Sequence, residues 1–385
     1  MKMMVKLLKI IIVNILVFMG ILIFINLAAI SIYQLTNSRI FSHINKSKME
    51  PVWMLPNYKN MGWARTHFKE YFELKSEFRS YIGWRSLPYK GQTINIDEKG
   101  IRITPQSEFA TEKSPLVVFL GGSSMWGYGA DDANTIPALF AKNAKGRYRT
   151  MNLGESDYNA FQGYLFLKLQ IIDGLKPDVV VSYDGINDAI VLMHGLRPFS
   201  HDKEDKIIAA LKGMDTEQRK ALSFDHFFLE PIKSLISYYK SKYSDSKNNA
   251  DFIPDALVEQ TAKALLEGWL STRDLAQQNG AYFVAVLQPN PAMGKPYLKH
   301  LKLDEAALTD YKIFYLAVLK LLQTPEYQKL RNNVLVLTDA FDSEEYIYID
   351  HCHVSPNGNK IIAEKIYNHI NNFIYNKKKP LYLPP

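Results

Sequence analysis

Four short segments carry side chains that could do chemistry together: Gly121-Gly122-Ser123-Ser124-Met125-Trp126-Gly127, Asn152-Leu153-Gly154-Glu155-Ser156-Asp157, Asp184-Gly185-Ile186-Asn187-Asp188 and Asp350-His351-Cys352-His353. A serine hydroxyl is a weak nucleophile at neutral pH and needs a base to take its proton. A histidine held in one tautomer by a carboxylate is such a base, and the D-x-x-H of Asp350 and His353 offers that pair. A side-chain amide such as Asn187 can donate to a developing oxyanion. Hydroxyl, amide and acid–base pair are the parts of a nucleophilic acyl-transfer site.

Such a site requires elements that bring the four segments to one edge. From Ser114 onward strands alternate with helices, the pattern of a parallel sheet covered on both faces. Leu116–Leu120 is a continuous apolar run closed by Gly121-Gly122 and reads as a buried parallel strand. Tyr148–Leu153, Val179–Tyr183, Tyr282–Leu287 and Val334–Thr338 supply four more. Asn134-Thr135-Ile136-Pro137 provides a cap and a first-turn proline for a helix through Ala144. Further helices are expected over Gln162–Leu175, 256–279, 305–325 and 359–374. The fold class is α/β, a doubly wound, mostly parallel sheet of about five strands. In such sheets sites form at the carboxyl ends of the strands, and each of the four segments follows one.

In order and spacing these segments resemble blocks I, II, III and V of the SGNH (GDSL-like) hydrolase superfamily, over roughly residues 114–372 without the 194–255 insertion. The resemblance implies a three-layer, flavodoxin-like sandwich and a serine esterase. It places the nucleophile at Ser123, with Ser124 as the adjacent alternative, the general base at His353 and its carboxylate partner at Asp350. Gly122 and Gly185 would flank the functional side chains, and G-x-N-D falls on Gly185, Asn187 and Asp188. The oxyanion hole would comprise the Ser123 N–H, the Asn187 amide and a block II backbone N–H. Block II departs from the family pattern: the usual glycine, five residues after the block's asparagine, is Asp157 here, while Gly154 lies earlier. Aspartate tolerates the left-handed conformation better than most residues, so the hole can survive. A carboxylate beside an oxyanion is unfavourable unless it turns away.

His351 and Cys352 lie inside the D-x-x-H. Neighbouring residues project in different directions and no second ligand cluster of suitable spacing is evident, so no metal and no cofactor is expected. Cys352 reads as a small packing residue. Asp184 and Asp188 read as loop-capping groups rather than a glycosidase pair.

The chain has 385 residues, 47% hydrophobic and 22% charged, which suits a sizeable core and excludes disorder, collagen and small disulfide scaffolds. The formal charge of +7 is partly held in Lys2, Lys6 and Lys9 and in Lys377–Lys379, so no nucleic-acid partner is expected. From Ile10 to Ile32 no charge occurs. About 20 apolar residues cross a bilayer, and the preceding lysines place the N-terminus in the cytoplasm. Residues 1–33 are therefore expected to anchor the chain in the cytoplasmic membrane by a single pass, with everything beyond outside the cytoplasm. A cleavable signal peptide is the rival reading.

Residues 34–110 contain no long apolar helix that could stand as a core. Tyr81–Arg85 and Thr93–Arg102 read as short strands packing on the main domain, with Trp84 as a packing aromatic and Arg85 and Arg102 solvated, or with all three gripping a polymer. The main domain spans 111–376 and a basic tail 377–385. The expected partners are the membrane and an acylated glycan or lipid substrate. The leading function is removal of ester-linked acyl groups, O-acetyl first, from envelope or exported polysaccharide. Alternatives are an SGNH-type O-acyltransferase, a lipid esterase, and a membrane-tethered glycan-binding pseudoenzyme.

Overall fold

The computed structural model describes residues 51–201 and 253–376, with scattered positions in 3–24 and 203–208. Residues 51–202 and 252–385 gather into one unit that holds all four segments; residues 1–50 and 203–251 gather into another. Among the described residues no helix is long and apolar enough to cross a membrane, and much of the 10–32 stretch lies outside them. Most of the 194–255 insertion and the 377–385 tail also lie outside the described residues.

The unit begins with two turns of 3-10 helix, then α1 (Ala64–Glu73), the antiparallel hairpin β1 (Ser76–Arg79) and β2 (Gly83–Ser86), and the two-residue pair β3 (Tyr89–Lys90) and β4 (Asn95–Ile96). The main sheet follows as β5 (Leu116–Gly121), α2 (Ser123–Trp126), α3 (Ile136–Ala144), β6 (Arg149–Asn152), α4 (Ala160–Ile172), β7 (Val179–Asp184), α5 (Ile186–Met193), α6 (Asp255–Gln278), β8 (Tyr282–Leu287), α7 (Glu305–Leu322), α8 (Gln328–Arg331), β9 (Val334–Val336) and α9 (Pro356–Asn376). Five parallel strands, the number and direction expected, lie in the order β6-β5-β7-β8-β9.

Strand alternation sorts the core into two layers. Val118, Leu120, Val180, Phe283 and Ala285 belong to a cluster with α4, α6 and α7 residues, including the fully buried Trp269, Phe314 and Tyr315. Val117, Phe119, Val179, Val181 and Val284 belong to the opposite cluster, with Phe140 of α3 and Ile362, Ile366 and Ile370 of α9. Helix starts follow local chemistry: Thr135 accepts from the Ala138 N–H, and Asn159 with Gln162 closes a capping box on α4.

The expected strands in 81–85 and 93–102 appear as β2, with β1 before it, and as β4 with an isolated bridge from Ile96 to Arg102. Trp84 packs in the core as expected, whereas the two arginines depart from the reading made of them. Arg85 and Arg102 are buried rather than solvated, and neither they nor Trp84 is open to grip a polymer. Long-range partners explain this. The Arg102 guanidinium pairs with Asp132 at 2.9 Å, lies 4.4 Å from the Trp126 ring and donates to three carbonyls of the 126–130 turn. Arg85 donates to the Gly100 carbonyl at 2.6 Å and sits 3.4 Å from Glu155. A buried charge persists only when paired and hydrogen-bonded; Arg102 meets both conditions across the chain, and Arg85 meets them through Glu155 and a single hydrogen bond from Nη2.

Candidate active site

Ser123 opens α2 directly after β5, with Gly122 as the cap residue. Sterics restrict position 122 to glycine, because a Cβ there would lie 2.1 Å from Asn187 Nδ2 and any side chain would displace that amide. The Trp126 N–H donates to the Gly122 carbonyl, and the Gly127 and Tyr128 N–H groups both donate to the Ser123 carbonyl, closing the turn tightly. Ser123 is half-buried, whereas Ser124 is buried and pairs with Gln288 Nε2 at 3.5 Å.

Asp350 and His353 stand on a loop separated from β9 by residues 337–349. The loop is pinned by Ile349 N–H donating to the His353 carbonyl and by the Tyr348–Val354 bridge. Asp350 Oδ1 accepts from the Cys352 and His353 N–H groups at 2.8 and 2.7 Å, an Asx turn that leaves Oδ2 for the ring of His353. His353 Nδ1 lies 2.7 Å from Asp350 Oδ2 and His353 Nε2 lies 2.7 Å from Ser123 Oγ. A serine and a histidine 230 positions apart are thus joined, with Asp350, in one hydrogen-bonded chain. Burial acts to raise the Asp350 carboxyl; His353 and the two N–H donors outweigh it and hold the group well below the usual carboxylate range.

Asn187, in the first turn of α5, donates from Nδ2 to the Tyr158 carbonyl at 2.7 Å, which leaves its second amide hydrogen for another acceptor. Asp157 is in the left-handed conformation at φ 65°, the backbone state expected of a residue at the usual glycine position. Its negative charge adds to the burial that raises the Tyr71 phenol and the Cys352 thiol. Gly154 sits lower in the loop, where its N–H donates to Asn152 Oδ1 at 3.0 Å. Asp188 accepts from the Ala160 N–H, a capping contact, whereas Asp184 is held by Ser182 and Trp269 in the core.

Among the described residues, Asp350, His351 and Cys352 bring their ligand atoms within 4.8 Å of one another. The donor set fits a metal poorly: the Asp350 oxygens already accept three hydrogen bonds, and burial, reinforced by Asp350, pushes the Cys352 thiol up and keeps it protonated.

Several residues that brace the site have no local signal in the sequence. Glu155 is buried and accepts from the Ser86 N–H and Oγ at 2.9 and 2.8 Å, tying block II to β2. Tyr128 packs its ring 4.2 Å from that of His353, and Tyr71 of α1 packs edge-on against Tyr128 at 4.7 Å.

No protein-family model matches the sequence, and no curated protein matches it. Among solved structures the chain is similar to a member of the lipolytic protein G-D-S-L family from Veillonella parvula, with a TM-score of 0.37 and 8% identity over 69% of this chain and 100% of that one. It is also similar to a carbohydrate acetylesterase family member from Sinorhizobium meliloti, with a TM-score of 0.38 and 11% identity over 67% of this chain and 97% of that one. A psychrotrophic esterase from Pseudoalteromonas gives a TM-score of 0.38 and 11% identity over 68% and 98%. At such scores the similarity carries no argument about substrate or activity, and the geometry above stands by itself.

Proposed function

We propose that this protein is a serine esterase that removes ester-linked acyl groups, O-acetyl first, from cell-envelope or exported polysaccharide. In this reading residues 1–33 anchor it in the cytoplasmic membrane and the catalytic domain lies outside the cytoplasm. The observation that carries the chemistry is the chain Ser123 Oγ, His353 Nε2, His353 Nδ1, Asp350 Oδ2, with both links at 2.7 Å.

Ser123 attacks the acyl carbonyl while Nε2 of His353 takes its proton. Asp350 holds the imidazole in the tautomer with the proton on Nδ1 and stabilises the imidazolium that forms. The Ser123 and Asp157 N–H groups and the free hydrogen of the Asn187 amide stabilise the tetrahedral intermediate, each worth roughly 3 kcal/mol. His353 returns its proton to the leaving sugar oxygen, freeing the alcohol and leaving an acyl-enzyme. Water, deprotonated by the same imidazole, then releases the carboxylic acid.

The test is acetate release by the full-length protein from acetylated polysaccharides, alongside aryl esters of increasing chain length. Acetate release with a preference for short acyl groups supports the reading. Turnover restricted to long acyl chains would replace it with a lipid esterase, and acyl transfer to an added sugar without acetate release would replace it with a transferase. No reaction with any ester or with a fluorophosphonate would leave the glycan-binding pseudoenzyme.

A further inference from the structure

Asn187 and Asp188 are consecutive in the first turn of α5, and both reach the same short segment after block II. Asn187 Nδ2 donates to the Tyr158 carbonyl at 2.7 Å, and Asp188 Oδ1 accepts from the Ala160 N–H at 3.3 Å. The residue just before Tyr158 is Asp157, at φ 65°. The far side of the junction has no slack: Gly185, the cap residue before α5, has φ 130°, and a Cβ there would meet the Tyr315 hydroxyl at 2.8 Å. The two groups assigned to the oxyanion hole from different loops, the Asn187 amide and the Asp157 N–H, are thus spaced by contacts from adjacent side chains of one helical turn.

We propose that Asp188 is a positioning residue for the oxyanion hole, holding the Asp157–Ala160 segment against α5 so that the Asn187 amide and the Asp157 N–H converge on one point. The inference rests on the ester-cleaving reading of Ser123, His353 and Asp350. Asp188 is buried, and its Oδ2 has no donor among the described residues; the same holds for Asp184 Oδ1. No ion pair among the described residues reaches either carboxyl. Asp188 lines a small cavity with Asn159 and Phe161 at the start of α4, Ser200, and Thr261 and Ala264 of α6, and it interacts by charge with Asp184 at the end of β7 and with the Tyr315 phenol on α7. None is a cation. Burial, then the charge of Asp184, pushes the Asp188 carboxyl up and favours its uncharged form. Ionisation would place a negative charge one residue from the amide that must stabilise an oxyanion, and would oppose the reaction.

The experiment is steady-state hydrolysis of an aryl acetate by the full-length protein between pH 6 and 9.5, for wild type, Asp188→Ala and Asp188→Asn. Asparagine keeps an acceptor for the Ala160 N–H and cannot ionise. The expected result is a fall in kcat of roughly tenfold or more for Asp188→Ala with KM within about twofold. Asp188→Asn should recover much of that loss and move the alkaline decline of kcat to higher pH. An unchanged kcat in Asp188→Ala, a loss shared equally with KM, or an alkaline decline in Asp188→Asn identical to wild type would overturn the proposal. If Asp188→Ala does not fold, the Asp188→Asn profile decides alone. Turnover that survives Ser123→Ala would instead sink the underlying ester reading, whatever Asp188 does.

Discussion

Arg102 Nη1 donates to the Gly127 carbonyl at 2.8 Å, at the end of the helical turn that Ser123 begins. The same guanidinium reaches the carbonyls of Trp126 and Ala130, and its Nε pairs with Asp132. A residue from the polar lead-in therefore holds the shape of the nucleophile turn from behind. Removing one partner of a buried ion pair costs about 3–5 kcal/mol, because the other charge is left buried and unpaired. Arg102→Met is expected to lower unfolding stability by about 3 kcal/mol and, in whatever remains folded, to lower kcat more than it raises KM. Urea denaturation and steady-state kinetics check both parts.

Asp157 tests the departure at block II. Its backbone strain is relieved by glycine, while glycine adds freedom to the unfolded chain, two effects of about 1 kcal/mol that oppose each other. Asp157→Gly should therefore leave stability within about 1 kcal/mol and retain or raise kcat/KM, since the N–H remains and a nearby charge disappears. A fall of roughly tenfold would assign the carboxylate a positive role, such as holding a substrate hydroxyl.

Asn187→Ala removes a donor without touching the triad. The expected loss in kcat is about a hundredfold or more, with about 1–3 kcal/mol of stability lost because the Tyr158 carbonyl loses its donor. A harmless substitution would dismiss the oxyanion hole as assigned here.

His67 on α1 is wholly buried, and desolvation, aided by the charge of Arg102, lowers its pKa to about 2 from an ordinary 6.5. A folded-state value below the unfolded one means that the unfolded chain binds the proton first. The stability from keeping His67 neutral is fully present above about pH 6.5 and is lost as pH falls below it, by about 1.4 kcal/mol per unit at most. Burial lowers His351 and His369 in the same direction. Urea midpoints between pH 7.5 and 5 should fall in the wild type and fall less steeply in His67→Gln; equal slopes would contradict this account.

How much of this was legible follows from range. The strands β5 and β8 are continuous apolar runs, and β7 is one but for Ser182 and Asp184, because both faces are covered, and so local a pattern shows itself in sequence. The D-x-x-H of Asp350 and His353 is equally local, since one Asx turn sets it. The burial of Arg102 and Arg85 was not legible, because Asp132 is 30 residues from one and Glu155 is 70 from the other. α1 was also hidden: its sequence ARTHFKEYFE buries His67 and Glu70 alongside Phe68. Glu70 there accepts from the N–H groups of Gln92, Thr93 and Ile94, partners that no periodicity reveals. The 10–32 span shows the converse, clear in sequence yet largely outside the described residues.

The central claim is that Ser123 is the nucleophile. Its most direct measurement is covalent labelling of the full-length protein by a fluorophosphonate, with mass-spectrometric assignment of the modified residue, in wild type, Ser123→Ala and Ser124→Ala. Ser123 Oγ sits 2.7 Å from His353 Nε2, whereas Ser124 is buried beside Gln288. The account predicts an adduct on Ser123 in wild type, no adduct and no ester turnover in Ser123→Ala, and both within about tenfold of wild type in Ser124→Ala, since a neighbour affects only positioning. An adduct on Ser124, or turnover that persists in Ser123→Ala, would contradict it.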